Sequence, residues 1–480
     1  MSKPLPPPAE FLSPQASPTP VPKPEPLGPP KPLKLSPDVR DRAERNRTEQ
    51  GWAAWNRTEL PVAPPELMIP AGSAVPGKHG TFGSLPITLS RDYPSLSELC
   101  GWPSLRGILA GSDGPLSGWS FLQVEYWLAW MTGLNIPVLG TTNTRGGFGF
   151  LGEPGTLAIL GPGEFIPTDR SGFRIRGGTQ LGCSGKWGLE GSFFFLGRRT
   201  AEVELTSDRY PIITRPVFSP NPRTDGTTIG ETGEAVTVPG ILVGGLSARA
   251  ESLLWGFDAN LRCCLFSNCG KRVEGLLGFR NVNLVESLAV TENISVVGPG
   301  GNRVELRDPV GTVVTVQDFF GTTNRFYGGQ LGTTFERRWD RLTLEGRACV
   351  ALGVTCQELE IAGFQYRVRP GMPPMTFPGG LLAAGPNLGS FSRHEFSVVP
   401  EVTVNAGLWL TRGLRLYTGF NFLYWTNVIR PGDQIDRVVD LTFVPNAPSV
   451  AFSGQLRPRP LFRQSDLWVT ALLFGVECRW

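Results

Sequence analysis

The stretch DLWVTALLFGVECRW, residues 466–480, decides how this chain is read. Taken in steps of two from Trp468, it gives Thr470, Leu472, Phe474, Val476, Cys478 and Trp480, while Gly475, Glu477 and Arg479 fall between them near the end. A period of two marks a β-strand with one face in an apolar medium. At the end of a soluble chain such a strand would be an open edge that invites aggregation. In a closed transmembrane barrel it seals the ring and leaves no edge. A strand buried in a soluble sandwich has the same local pattern, so the rest of the chain must discriminate.

Composition narrows the field. The chain has 480 residues, 60 of them Gly and 45 Pro, and charged residues make up only 18%, which is unlike helix-rich folds. The net charge of +3 gives no reason to expect a nucleic-acid partner. No apolar run approaches the roughly 18 residues that a spanning helix needs, so any membrane crossing is by strands. The eight cysteines have no C-x-x-C spacing and only two histidines accompany them, so no metal or other cofactor is expected. Cys263 and Cys478 fall on apolar strand positions. A disulfide involving Cys264 or Cys269 is possible on paper, but sequence assigns no partner.

Residues 1–36 are proline-rich and read as an extended tether. Residues 37–118 are largely irregular, with one short helix expected near 37–55. Lys3 is followed by no apolar segment, so no secretory signal is read. From Trp119 the texture changes to alternation, and 119–480 reads as one barrel. Nine segments precede the terminal strand, at about 119–131, 173–182, 187–197, 253–265, 272–286, 326–336, 342–356, 397–410 and 414–427. The fifth loses phase in its second half, where a bulge is expected.

The connections at 183–186, 266–271, 337–341 and 411–413 are tight. The other five run to about forty residues or more, and short alternates with long throughout. This is the pattern of an all-β, antiparallel up-and-down transmembrane barrel of about ten strands, with periplasmic turns and long external loops.

The register places fourteen charges in the lumen: Arg174, Arg176, Arg262, Arg280, Arg347, Arg415 and Arg479, with Glu190, Asp258, Glu274, Glu336, Glu345, Glu401 and Glu477. Equal numbers of each sign favour internal pairing over a field that selects ions, with Glu345 and Arg347 expected as one apposed pair. In ten strands, side chains this long would leave a largely plugged lumen.

The segments WGLEGSFFFLG (187–197), LLWGFDANLR (253–262), LLGFRNVNLVESL (276–288), FYGGQLG (326–332), FSVVPEVTVNAG (396–407) and LYTGFNFLYWTNVIRPGDQID (416–436) resemble those of the beta-barrel porin-7 family of bacterial outer-membrane proteins. The resemblance covers about 115–480 and implies an outer-membrane barrel, named for porins chiefly by architecture; it carries over no catalytic residues. Phe474, Val476, Cys478 and Trp480 resemble the aromatic-ended strand that barrel-assembly machinery reads. The expected partners are therefore outer-membrane lipid, that machinery and small solutes.

Two other functions are weighed beside a porin-like or structural barrel. One is a soluble secreted adhesin or matrix protein. The other is a hydrolase at the barrel rim, for which His394, with Ser392, Glu395 and Asp318 as conceivable neighbours, is the candidate, since His79 lies in the irregular front. Such chemistry needs a histidine oriented by a carboxylate beside a nucleophile, and a lone loop histidine is ordinarily just polar surface. The chain is not expected to be an enzyme.

Overall fold

The computed structural model describes residues 120–181, 186–222, 228–300, 308–447 and 450–480. The tether, the short helix, the irregular region and His79 lie outside the described residues.

Ten strands form the wall: β1 (Ser120–Met131), β2 (Asp169–Leu181), β3 (Trp187–Thr206), β4 (Leu242–Asn268), β5 (Lys271–Val296), β6 (Val313–Trp339), β7 (Leu342–Val368), β8 (Gly389–Trp409), β9 (Leu414–Ile429) and β10 (Gln464–Arg479). Each pairs antiparallel with its sequence neighbours, and β1 closes the ring on β10 from Phe121↔Arg479 to Met131↔Val469. Around the turn-side part of the wall the ring has no edge, and there the backbone satisfies itself by ladder bonds, as a chain in hydrocarbon requires.

The short connections fold as their residues dictate. Cys269 and Gly270 both have positive φ (39° and 74°) and form the two-residue turn between Asn268 and Lys271. That conformation matches the twist of the flanking strands, and glycine adopts it without steric cost. Asp340 (φ 49°) and Arg341 make the corresponding turn between β6 and β7.

Outward positions form an apolar belt that includes Leu122, Val124, Tyr126, Phe173, Phe193, Phe257, Leu277, Phe279, Tyr327, Leu331, Leu352, Phe420, Phe474 and Trp480, all exposed. Further along the strands outward residues turn charged, with the exposed ion pairs Arg198–Glu251, Arg249–Glu202 and Arg325–Glu358. The belt ends there.

Depth along the belt gives a first expected result. Phe420 is outward near mid-belt, and Arg there should cost about 2–4 kcal/mol, against about 0–1 for Leu416→Arg beside the turn. Folding titrations into lipid vesicles would separate the two, and equal losses would refute the assigned depth. The neighbouring Asn421 cannot serve as the tolerant control that a roomy lumen would provide. It is fully buried and donates to Glu401 (2.6 Å) and Thr403 (2.8 Å).

Two sequence expectations are corrected. β4 to β7 run to 26 or 27 residues, roughly 85–90 Å of strand at about 3.3 Å per residue. Tilted by about 40°, they rise some 65 Å, far beyond a belt of about 25 Å. Two of the supposed long loops are thus mostly strand, and only 297–312 joins β5 to β6.

The bulge expected in β5 is also absent, since its register with β6 is unbroken from Lys271↔Arg337 to Ser295↔Val313. The phase is lost because Val282 and Leu284 are inward and buried, while Asn281 and Asn283 occupy the outward set. Register shifts occur instead at Ser252/Leu254, Cys264/Phe266 and Trp425/Val428.

Beyond the belt, the loops fold into the mouth. A two-stranded sheet (Leu134–Ile136 with Gly163–Ile166) and a four-stranded one (Gly140–Asn143, Thr156–Leu160, Ile213–Pro222, Thr228–Thr237) cover the extended strands. They share one apolar core with inward residues such as Leu246, Leu288, Val290, Val316, Phe320 and Leu359.

Candidate functional site

The barrel interior is stratified. At the turn end the fourteen charges named from sequence are assembled into two ion-paired chains. One runs from Arg174, which contacts Glu401 (3.0 Å), through Arg280 to Asp258 (3.9 Å), Arg347 (3.5 Å from Asp258) and Glu190, and on to Arg262 (3.6 Å from Glu190) and Glu274. The other links Arg176 to Glu345 (3.9 Å), Glu345 to Arg415 and Arg415 to Glu477 (2.6 Å each), then Arg479 and Glu336 (3.1 Å). Glu345 and Arg347 are not an apposed pair: each finds its partner on another strand, because side chains two apart on β7 point in parallel.

Sequence reading left out Glu125 and Arg272. Glu125 holds Arg174 at 2.8 Å and Arg272 holds Glu274 at 2.7 Å. Both follow the inward period already visible in β1 and β5, and as one acid and one base they preserve the balance. Gln123 bridges the network by donating to Glu477 (3.1 Å) and accepting from Arg176 (3.4 Å). The cavity among these groups measures about 30 Å³, room for little more than single waters.

Above this stratum the inward positions turn apolar. Trp127 stacks on Phe194 at 5.6 Å, Phe326 meets Trp425 edge-on at 6.3 Å, and Leu254, Val282, Leu284, Leu423, Val469 and Leu473 fill the gaps. Each indole reaches a polar partner, Trp127 donating to Glu125 (3.0 Å) and Trp425 to Thr355 (3.0 Å). Sequence pattern missed this layer because apolar residues sit on both faces of the strands there, and alternation cannot tell a lipid-facing residue from a core residue.

A polar tier follows, where Arg430 pairs with Glu286 (2.6 Å) and Asn324 bonds the backbone of Ile429. Beyond it, within the apolar mouth, Arg215 is ion-paired with Asp318 and lies 3.5 Å from Glu292. Burial, and after it the neighbouring Glu234 carboxylate, pushes the Glu292 carboxyl well above the usual range. In the last loop, burial would raise Asp440, but Ser453, Thr442 and Asn221 donate to it and hold it at about 2.

The rim constellation does not form. His394 lies opposite Cys356 on the neighbouring strand, with Nδ1 3.2 Å from Sγ. Asp318 is inward and committed to Arg215 and to the backbone N–H groups of Leu382 and Ala383. The six described cysteines are free thiols, Cys264 and Cys269 among them. Phe474, Val476 and Trp480 are exposed on the outer face, with Cys478 half-buried.

A closed ten-stranded ring with a lipid-type belt and an ion-paired interior defines a transmembrane outer-membrane β-barrel. The sequence model of the family described as Putative beta barrel porin-7 (BBP7) matches residues 121–480, and the chain belongs to that family. No curated protein matches it.

Among solved structures it is similar to the outer membrane protease OmpT from Escherichia coli, with 12% identity over 75% of this chain and 97% of that one, at a TM-score of 0.32. It is also similar to the toluene transporter TodX of P. putida (9% identity, 76% and 90% covered, TM-score 0.17) and to a Pseudomonas aeruginosa FadL homologue (7%, 76% and 90%, 0.19).

Proposed function

We propose that the chain is a bacterial outer-membrane barrel closed to bulk ion flow, which anchors a folded external mouth and does not serve as a wide porin. The observation that carries this reading is the stratified interior. A paired charge layer with about 30 Å³ of space lies beneath the aromatic layer of Trp127, Phe194, Phe326 and Trp425. Neither layer offers a field of one sign or a water-wide passage.

The turns then face the periplasm and the loops the outside. Outer-membrane lipid covers the belt, and barrel-assembly machinery reads Phe474, Val476, Cys478 and Trp480. The belt argues against a soluble secreted protein. The reading is non-enzymatic: His394 meets the Cys356 thiol, and no carboxylate bonds its ring among the described residues.

Planar bilayers test it. The unmodified protein is expected to add no steady current, and measurable conductance should require opening both layers, as in Trp127→Ala and Phe194→Ala combined with Glu190→Ala and Arg347→Ala. Large, steady currents from the unmodified chain would make a wide porin the better description.

A further inference from the structure

Toward the loop end of the wall, exposed charges come as pairs of opposite sign, Arg198–Glu251, Arg249–Glu202 and Arg325–Glu358. The turn end is different. Lys271, Arg337, Arg338, Arg341 and Arg412 stand at the turns that join β4 to β5, β6 to β7 and β8 to β9, and among the described residues none of the five is ion-paired. Asp340 is the one exposed acid of these turns, and it pairs with none of them. Backbone bonds tie the turns together: the Arg338 N–H donates to the Gly270 carbonyl (2.7 Å) and the Trp409 N–H to that of Arg341 (2.8 Å).

Two of these cations face each other. Lys271 on β5 and Arg337 on β6 are direct cross-strand partners. Both belong to the outward set, because Arg272 and Glu336 beside them pair inside the barrel, with Glu274 and Arg479. Like charges directly opposite one another destabilise a ladder. Inside the barrel the ladder meets this problem with carboxylates. Outside it has none, so the counter-charge comes from beyond the chain.

The neighbours of the pair say what carries that charge. The Arg337 guanidinium lies over the Trp339 ring at 5.4 Å, and Phe266, Phe335, Leu342 and Leu344 next to it are all exposed. The apolar belt therefore runs up to the cations, which sit at the depth of lipid phosphates. A dissolved anion matches the cations alone, whereas a phospholipid matches the cations and the apolar wall together. A zwitterionic lipid brings its own ammonium group to its phosphate; a net-anionic one does not.

We infer that Lys271 and Arg337 clamp the phosphate of a net-anionic phospholipid such as phosphatidylglycerol, whose acyl chains lie along Phe335 and Leu344. This rests on the proposed reading only in setting the turn end at a bilayer surface, and neither a closed lumen nor the side that the turns face enters into it.

The test uses the full chain in detergent micelles, titrated with phosphatidylglycerol or with phosphatidylcholine of the same acyl chains and read by native mass spectrometry. The unmodified chain should take up its first phosphatidylglycerol about tenfold more tightly than its first phosphatidylcholine. Lys271→Gln combined with Arg337→Gln should remove that preference, while Arg325→Gln, beyond the other end of the belt, should keep it. Glycerol 3-phosphate, the head without the chains, should not displace the bound lipid. Heat-modifiable gel migration reports whether each variant is folded, and the ranking on the unmodified chain needs no variant. Equal uptake of the two lipids, a full preference in the folded double variant, its loss in Arg325→Gln, or displacement by glycerol 3-phosphate would overturn the assignment. Current across planar bilayers is read separately, so a conducting barrel would leave this result standing.

Discussion

Removing Glu477 to Trp480 should abolish assembly. The deleted residues form the seam: Ser120 and Trp480 exchange both backbone bonds (2.8 and 3.0 Å), and Leu122 and Phe121 face Cys478 and Arg479. Without them the turn-side ends of β1 and β9 have unpaired N–H and C=O groups facing hydrocarbon, each worth several kcal/mol. The deletion also takes Glu477 and Arg479 from the ion network, leaving Arg415 with Glu345 alone and Glu336 without its arginine. The chain should accumulate as protease-sensitive protein that shows no heat-modifiable migration. A truncated barrel that assembles normally would mean that closure does not run through this strand.

Glu401→Ala is expected to be the most damaging single truncation in the network. Glu401 accepts from Arg174, Arg280 and Asn421, and both arginines are about 2% exposed. Alanine leaves two buried cations short of a counter-charge, a loss of about 3–5 kcal/mol. The exposed pair Arg325–Glu358 supplies the control, since Glu358→Ala should cost under about 1 kcal/mol. Urea titrations of vesicle-inserted protein, compared at equal slope, measure the difference. Similar midpoints for the two variants would mean that water reaches the network and screens it.

The wall was legible in the sequence because a bilayer and a polar lumen impose opposite demands on successive residues. Strand number, pairing order and closure follow from that period. Partner identity was not legible: Arg347 meets Glu190 and not Glu345, since partners across a barrel are set by tilt and stagger, which no local pattern encodes.

The upper interior was hidden for a different reason. In β5, Val282 and Leu284 face a protein core while Asn281 and Asn283 occupy the outward set, so polarity no longer reports direction. The acids of the mouth stayed invisible as a group because Arg215, Glu234, Glu292 and Asp318 come from two loop strands and two wall strands that only the folded mouth brings together.

The aromatic layer has a consequence for proton movement. A proton hops along groups that can both accept and donate, and the two ionic tiers of the barrel are rich in acceptors and donors. Between them stand indoles, whose N–H donates and accepts nothing. Trp127 directs its N–H to Glu125 on one side and Trp425 to Thr355 on the other. On the closed-barrel reading proposed above, these indoles interrupt the relay among the described residues, and the two hydrogen-bonded compartments are expected to exchange protons each with its own side of the membrane.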